Sequence, residues 1–258
     1  MTDGTRRPPT FADACAAVLE ETSATHGADT TFAPVVARAV PDQWGERRGR
    51  LVASRLPADV DRVLELGCGT GALLRALGTQ YAAIGVDERR AHLRFPAARG
   101  EPVVCGNPTD PPVRPVFDAV CAAEMATART GVSDVITGAY RSLRPGGIVV
   151  VAAPTDPSAV IESGVETYSG SRYLLERAVD VAQSGTVDID YRVTDRETGE
   201  TAVVNERSTV ATTATDEITA ALQRAGFEHV LVAGESDLPG VVVGRGVRPV
   251  ETSVPAMR

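Results

Sequence analysis

The sequence predicts an α/β fold: a doubly wound, mostly parallel sheet with an antiparallel C-terminal strand pair and a small β insertion. Three observations carry that expectation. From residue 62 onward, short continuous apolar runs alternate with helix-like segments, the pattern of a parallel sheet covered on both faces. Between the first run and the first helix lies "ELGCGTGALL", with three glycines at alternate positions. Between residues 155 and 212 the alternation stops and resumes only at "TDEITAALQRAGF". The regular part is Rossmann-like in its rhythm.

In chain order, "FADACAAVLEETSA" reads as a helix after a weakly ordered start, and a second helical segment near 34–56 contains Trp44 with Arg47, Arg48 and Arg50. "RVLELG" is a buried strand, "GALLRALGTQ" a helix opening at the glycines, "YAAIGVD" a strand and "RRAHLRFPAAR" a helix. "PVVCGN" and "FDAVCAAE" are strands, "VSDVITGAYRSL" is a helix stopped by "RPGG", and "IVVVAAP" is the fifth strand. Within the interruption, "SRYLLERAVDVAQSG" reads as helix-like. The two alternating segments around "RETGE" read as an antiparallel hairpin. Thr215 is placed as the N-cap of the last helix and Gly226 as its stop, and "HVLVAGE" with "GVVVGRGV" closes the sheet. The division that follows is a helical lid at 1–60, a core at 61–154 and 213–248, an insertion at 155–212 on the ligand side, and a tail at 249–258.

Composition removes several function classes. The 258 residues are 43% hydrophobic, enough for a substantial core. No apolar run approaches the ~18 residues of a membrane span. Asp13 and Glu20 interrupt the early apolar stretch, so a signal peptide is not expected and a cytoplasmic location is. A net charge of -8 argues against non-specific nucleic-acid binding. Cys15, Cys68, Cys105 and Cys121 show no CxxC spacing, so neither a metal site nor a disulfide framework is expected. Homodimerisation is left open.

A strand, a glycine turn and a helix start form a nucleotide-binding element, because glycines admit a ligand to the main chain and the helix start offers N–H groups. Dinucleotide folds use G-x-G-x-x-G. Here Gly67, Gly69 and Gly71 give G-x-G-x-G, preceded by Glu65, an awkward neighbour for a pyrophosphate and a good one for a cationic amino group. One strand later Asp87 stands where a carboxylate accepts from both hydroxyls of a ribose.

The ordered series "VLELGCGTG", "IGVDERR", "VVCGNPTDPPV", "FDAVCAAE" and "LRPGGIVVVAAP" resembles the motif series of class I S-adenosylmethionine (SAM)-dependent methyltransferases. In layout the chain is similar to small-molecule N-methyltransferases of the amino-sugar and glycine type, which carry a short antiparallel sheet where this chain has its insertion. The resemblance implies SAM as cofactor. Glu65, Gly67, Cys68, Gly69 and Gly71 would hold its methionine part, Asp87 and Glu88 its ribose, and Gly106, Asn107 and Ala123 the remaining edge, with the Asn107 carbonyl oxygen accepting from the adenine amine. It implies methyl transfer to a nitrogen or oxygen of a small molecule; by their own positions, Glu124 at the mouth of the fourth strand and Arg172 and Tyr173 in the insertion are the acceptor-side candidates. His26, His92 and His229 are assigned to surface packing, and Arg47, Arg48 and Arg50 to a solvated helix face. The alternatives are a SAM-binding protein without catalysis and a nicotinamide-dependent oxidoreductase. The G-x-G-x-G spacing and Glu65 count against the second.

Overall fold

The computed structural model describes residues 10–20, 33, 37, 42–123, 131–159, 161 and 163–250. Its main sheet is built from β1 (Arg62–Leu66), β2 (Ala82–Asp87), β3 (Val103–Cys105), β4 (Phe117–Ala122), β5 (Leu143–Pro154), β10 (Glu228–Gly234) and β11 (Val241–Val247). The order is β3-β2-β1-β4-β5-β11-β10. Strands β1 to β5 pair in parallel, while β11 runs antiparallel to both β5 and β10, as the closing "GVVVGRGV" segment requires.

Alternation along the strands sends side chains to two cores. Leu64, Leu66, Val120, Ala122, Val149 and Val151 pack under α5 (Val132–Ser142) and α6 (Thr215–Arg224), through Val135, Ile136, Ile218 and Leu222. Val63, Ala119, Cys121, Ile148 and Val150 point the other way, under α2 (Asp42–Ala53) and α3 (Ala72–Leu77), through Leu51, Val52, Leu73, Leu74 and Leu77. Each fully buried Leu, Ile or Val contributes about 1.5–3 kcal/mol. Burial on both faces explains why these strands read as unbroken apolar runs. A further helix, α4 (Arg90–Ala98), follows β2.

The insertion is a separate antiparallel sheet of β6 (Gly164–Ser169), β7 (Tyr173–Val181), β8 (Thr186–Asp195) and β9 (Thr201–Thr209). The "RETGE" hairpin is β8–β9, paired from Thr186↔Thr209 to Thr194↔Thr201. The segment read as helix-like is instead β7. Leu-Glu-Arg-Ala favours helix locally, but Tyr173, Leu175 and Val179 are buried on one face, and the strand is paired along both edges. Tertiary pairing overrides a weak local preference. The first helix, α1 (Phe11–Glu20), packs Cys15 and Val18 into the core of this small sheet, against Tyr191 and Val193 among others. It covers that sheet, whereas α2 lies against α3 at the glycine loop.

Smaller differences have local causes. Ala214, not Thr215, is the N-cap of α6, and no side chain caps it; Thr215 is the first helical residue. Gly226 ends the helix at φ +93, as expected. His92 is buried on the inward face of α4, not at the surface. His229 is exposed at a register shift of β10, and His26 lies outside the described residues.

Candidate cofactor and acceptor site

The carboxyl ends of β1, β2, β3 and β4 lie along one edge of the sheet, and the expected cofactor residues follow them: the glycine loop after β1, Asp87 and Glu88 at β2, Gly106 and Asn107 after β3, and Ala123 after β4.

The loop is held open by its own backbone. Gly67, Gly69 and Gly71 all have positive φ, at +78, +52 and +82, a region L side chains rarely adopt. The amides of Gly67 and Cys68 donate to the Val86 carbonyl at 2.7 and 3.1 Å, tying the loop to the end of β2. A Cβ at Gly67 would meet no atom within 4 Å, so this glycine serves conformation and leaves free space above the main chain. Cys68 is fully buried beneath the loop.

Two carboxylates flank this loop from inside the protein. Glu65 is 1% exposed and Asp87 is 2% exposed. Asp87 accepts four hydrogen bonds. Oδ1 takes the Arg89 amide at 2.8 Å and its Nε at 3.1 Å, and Oδ2 takes the Gly69 amide at 2.9 Å and the Arg89 Nη2 at 3.1 Å. Burial opposes the charge on this carboxyl, but the Arg89 guanidinium and the two amides outweigh it and hold the pKa below the ordinary carboxylate value.

Arg48 was assigned to a solvated helix face, and the structure corrects this. Arg47 and Arg50 are exposed, but Arg48 is only 5% exposed. Its Nη1 donates to the Ala123 carbonyl at 2.8 Å, and its guanidinium stacks 4.2 Å from the Trp44 ring centroid. The reason lies in the helix seam. Gly45 and Gly49 bring α2 against α3: a Cβ on Gly45 would overlap the Ala72 carbonyl, and one on Gly49 would lie 2.9 Å from the Ala76 Cβ. At that separation Trp44 and Arg48, one turn apart, are carried to the end of β4. The GxxxG-like spacing at 45 and 49 was the sequence signal for this contact. For Arg89 the signal was its place two residues after Asp87.

Asn107 departs from expectation in detail. Its Oδ1 accepts from the amide and the hydroxyl of Thr109, both at 2.9 Å, which uses both lone pairs. The remaining hydrogen-bonding capacity of the side chain is its NH₂ donor. Cys105 is exposed, with Sγ 3.7 Å from the Glu88 carbonyl.

On the acceptor side, Glu124 lies outside the described residues. Arg172 donates to Asp195 Oδ2 through Nε and Nη2, at 2.9 and 2.6 Å, and stacks 5.2 Å from the Tyr173 ring centroid. Tyr173 is buried in the small-sheet core. Arg172 braces the start of β7 against the β8–β9 turn, and Tyr173 shares its cluster with sheet residues and with Cys15 and Val18 of α1. Tyr191 is buried with its hydroxyl on Glu206 at 3.2 Å; burial and that carboxylate push its pKa up to about 12.

This donor set fits SAM. A ligand could lie against the main chain above Gly67, Asp87 is a buried carboxylate of the kind that would accept from a diol, and Glu65 and Arg48 carry the opposite charges that would answer those of an amino acid. Among the described residues no group of three or more His, Cys, Asp or Glu is placed to hold a metal ion. None of the described helices is long and apolar enough to cross a membrane.

Comparison with known proteins agrees with this reading. Residues 64–151 match the family described as "Methyltransferase domain". The chain is 28% identical over 214 residues to the dTDP-4-amino-2,3,4,6-tetradeoxy-D-glucose N,N-dimethyltransferase of Saccharopolyspora spinosa, covering 78% of this chain and 86% of that one. Among solved structures, the sugar N-methyltransferase KedS8 from Streptoalloteichus superposes with a TM-score of 0.67 at 20% identity, over 89% of this chain and 98% of that one. DesVI of Streptomyces venezuelae gives 0.66 at 19% identity, over 88% and 100%. These show the same fold. With the glycine loop and the buried Asp87 carboxylate both inside the matched stretch and at one sheet edge, residues 64–151 form a SAM-dependent methyltransferase domain.

Proposed function

We propose that the protein N-methylates a nucleotide-linked amino sugar. The observation that carries this reading is the relationship to the 4-amino-sugar N,N-dimethyltransferase, which extends over the insertion as well as the SAM-binding core. When bound, SAM supplies an electrophilic methyl on a good leaving group. The protein then has to orient an amine in line with it and exclude water, and orientation alone is worth ~7–11 kcal/mol of barrier.

In this reading Glu65 takes the ammonium of the methionine part and Arg48 its carboxylate, while the backbone of Gly67–Gly71 lies along it. Asp87 takes the ribose hydroxyls, and Glu88 and Gly106 flank the nucleoside. Asn107 donates its amide N–H to an adenine ring nitrogen rather than accepting from the exocyclic amine. The acceptor amine must be neutral to attack. Glu124, directly after the β4 edge, is the carboxylate proposed to take its proton. The β6–β9 sheet forms the wall on the acceptor side, with Arg172 and Tyr173 fixing its shape. The compartment is the cytoplasm.

The test is a comparison of acceptors. A nucleotide-linked 4-amino sugar should be methylated, and its 4-hydroxyl counterpart should not. Glu124→Gln should lower turnover by about tenfold or more, the scale of a lost charged hydrogen bond, and leave S-adenosylhomocysteine affinity within a few-fold. Equal methylation of both sugars would refute the amine assignment.

A further inference from the structure

The hydrogen bonds at Asp87 assign a role to Arg89, given the reading of Asp87 as the ribose acceptor. An ionised carboxylate has four lone-pair positions. All four are engaged here: two by the amides of Gly69 and Arg89, two by Nε and Nη2 of the Arg89 side chain. The amides are fixed by the main chain, one in the glycine loop and the other in the turn entering α4. The guanidinium is not fixed in that way. Arg89 has a side chain 33% exposed, and it reaches a carboxylate that is 3% exposed. A vicinal diol needs two acceptor positions on Asp87, and the two that can be given up are those the guanidinium holds. The fork and the diol are mutually exclusive partners.

We propose that Arg89 competes with the cofactor's ribose for Asp87, so that nucleoside binding and release of the guanidinium fork are one coupled event. The consequences follow from the count. With the fork in place, the buried carboxylate is compensated and Gly69 is held in its left-handed conformation, so the loop keeps its shape between turnovers. Because SAM and S-adenosylhomocysteine share the ribose, the competition weakens both alike. Return of the fork then favours departure of the product, a step that limits many enzymes. Arg89 is a positioning residue in this scheme and touches no reacting atom.

The experiment measures binding of S-adenosylhomocysteine and of its 2′,3′-dideoxy analogue by titration calorimetry, on wild type, Arg89→Met and Arg89→Gln. Removing the competitor should tighten S-adenosylhomocysteine binding by about 3- to 5-fold in both variants, the upper part of the range for a partly exposed charge pair. Affinity for the dideoxy analogue should stay within about twofold, since that ligand has no hydroxyls to return. A purely structural effect would move both ligands together. Unchanged or weaker S-adenosylhomocysteine binding in a variant with a cooperative melt overturns the competition, even if wild type prefers the diol. If wild type binds both ligands equally, Asp87 is not the diol acceptor, and the inference falls with that reading. Two variants differing in polarity guard against one failing to fold.

Discussion

In the proposed binding mode, replacing Asp87 with alanine strikes both the cofactor and the loop that receives it. The side chain is 2% exposed and anchors the Gly69 amide at 2.9 Å and the Arg89 amide at 2.8 Å. The variant leaves the buried Gly69 amide and the partly buried Arg89 amide without their acceptor, at up to ~1–3 kcal/mol each. The guanidinium moves to solvent at little cost, and water entering the gap recovers part of the loss. A net destabilisation of about 2–4 kcal/mol is expected from these two amides. The ligand loses a two-point anchor as well, and stranded hydroxyls should weaken S-adenosylhomocysteine binding by ~2–3 kcal/mol, about 30- to 150-fold. Urea unfolding and titration calorimetry measure the two losses separately. Asp87→Asn, which keeps one acceptor oxygen, should recover part of the stability and little of the affinity. An alanine variant with wild-type stability and affinity would refute the assignment of Asp87 to both tasks.

Three further predictions concern other parts of the molecule. Gly45→Val forces α2 away from the Ala72 carbonyl, so it should cost about 1–3 kcal/mol of stability and weaken S-adenosylhomocysteine binding by moving Arg48; calorimetry showing intact affinity would detach Arg48 from the site. Arg172 holds the Asp195 carboxyl down to about 2, and Asp87 and Asp118 are also depressed. A depressed carboxylate stabilises the fold above its unfolded pKa of about 4 and loses that contribution as pH falls toward the folded value. Melting temperature should therefore drop between pH about 4 and about 2, and Arg172→Ala should make that drop shallower. Of the four cysteines, Cys105 alone is exposed, and burial pushes the Cys15 thiol up to about 11; one thiol should react rapidly in the native protein, and S-adenosylhomocysteine should slow it.

The main sheet was legible because its central strands, β1, β4 and β5, are buried on both faces and read as unbroken apolar runs. Gly67–Gly71 and Asp87 lie at the strand ends that the strand–helix rhythm places them at, and the closing strands pair as expected. The β7 segment was not legible, since its helix-favouring residues are overruled by neighbours on both edges. Arg48 was missed because an arginine run on a polar helix reads as solvated; burial came from Gly45 and Gly49, whose effect depends on a partner helix. Asn107 stands at the expected position but its oxygen accepts from Thr109, a local turn bond that spacing alone does not reveal.

The central claim is tested most directly by a single-turnover reaction with methyl-labelled SAM and a nucleotide-linked 4-amino sugar, followed by fragmentation of the product. The label should be found on the sugar nitrogen, with one S-adenosylhomocysteine formed per methyl transferred. A protein that binds S-adenosylhomocysteine yet transfers no label to any amino-sugar nitrogen would contradict the account.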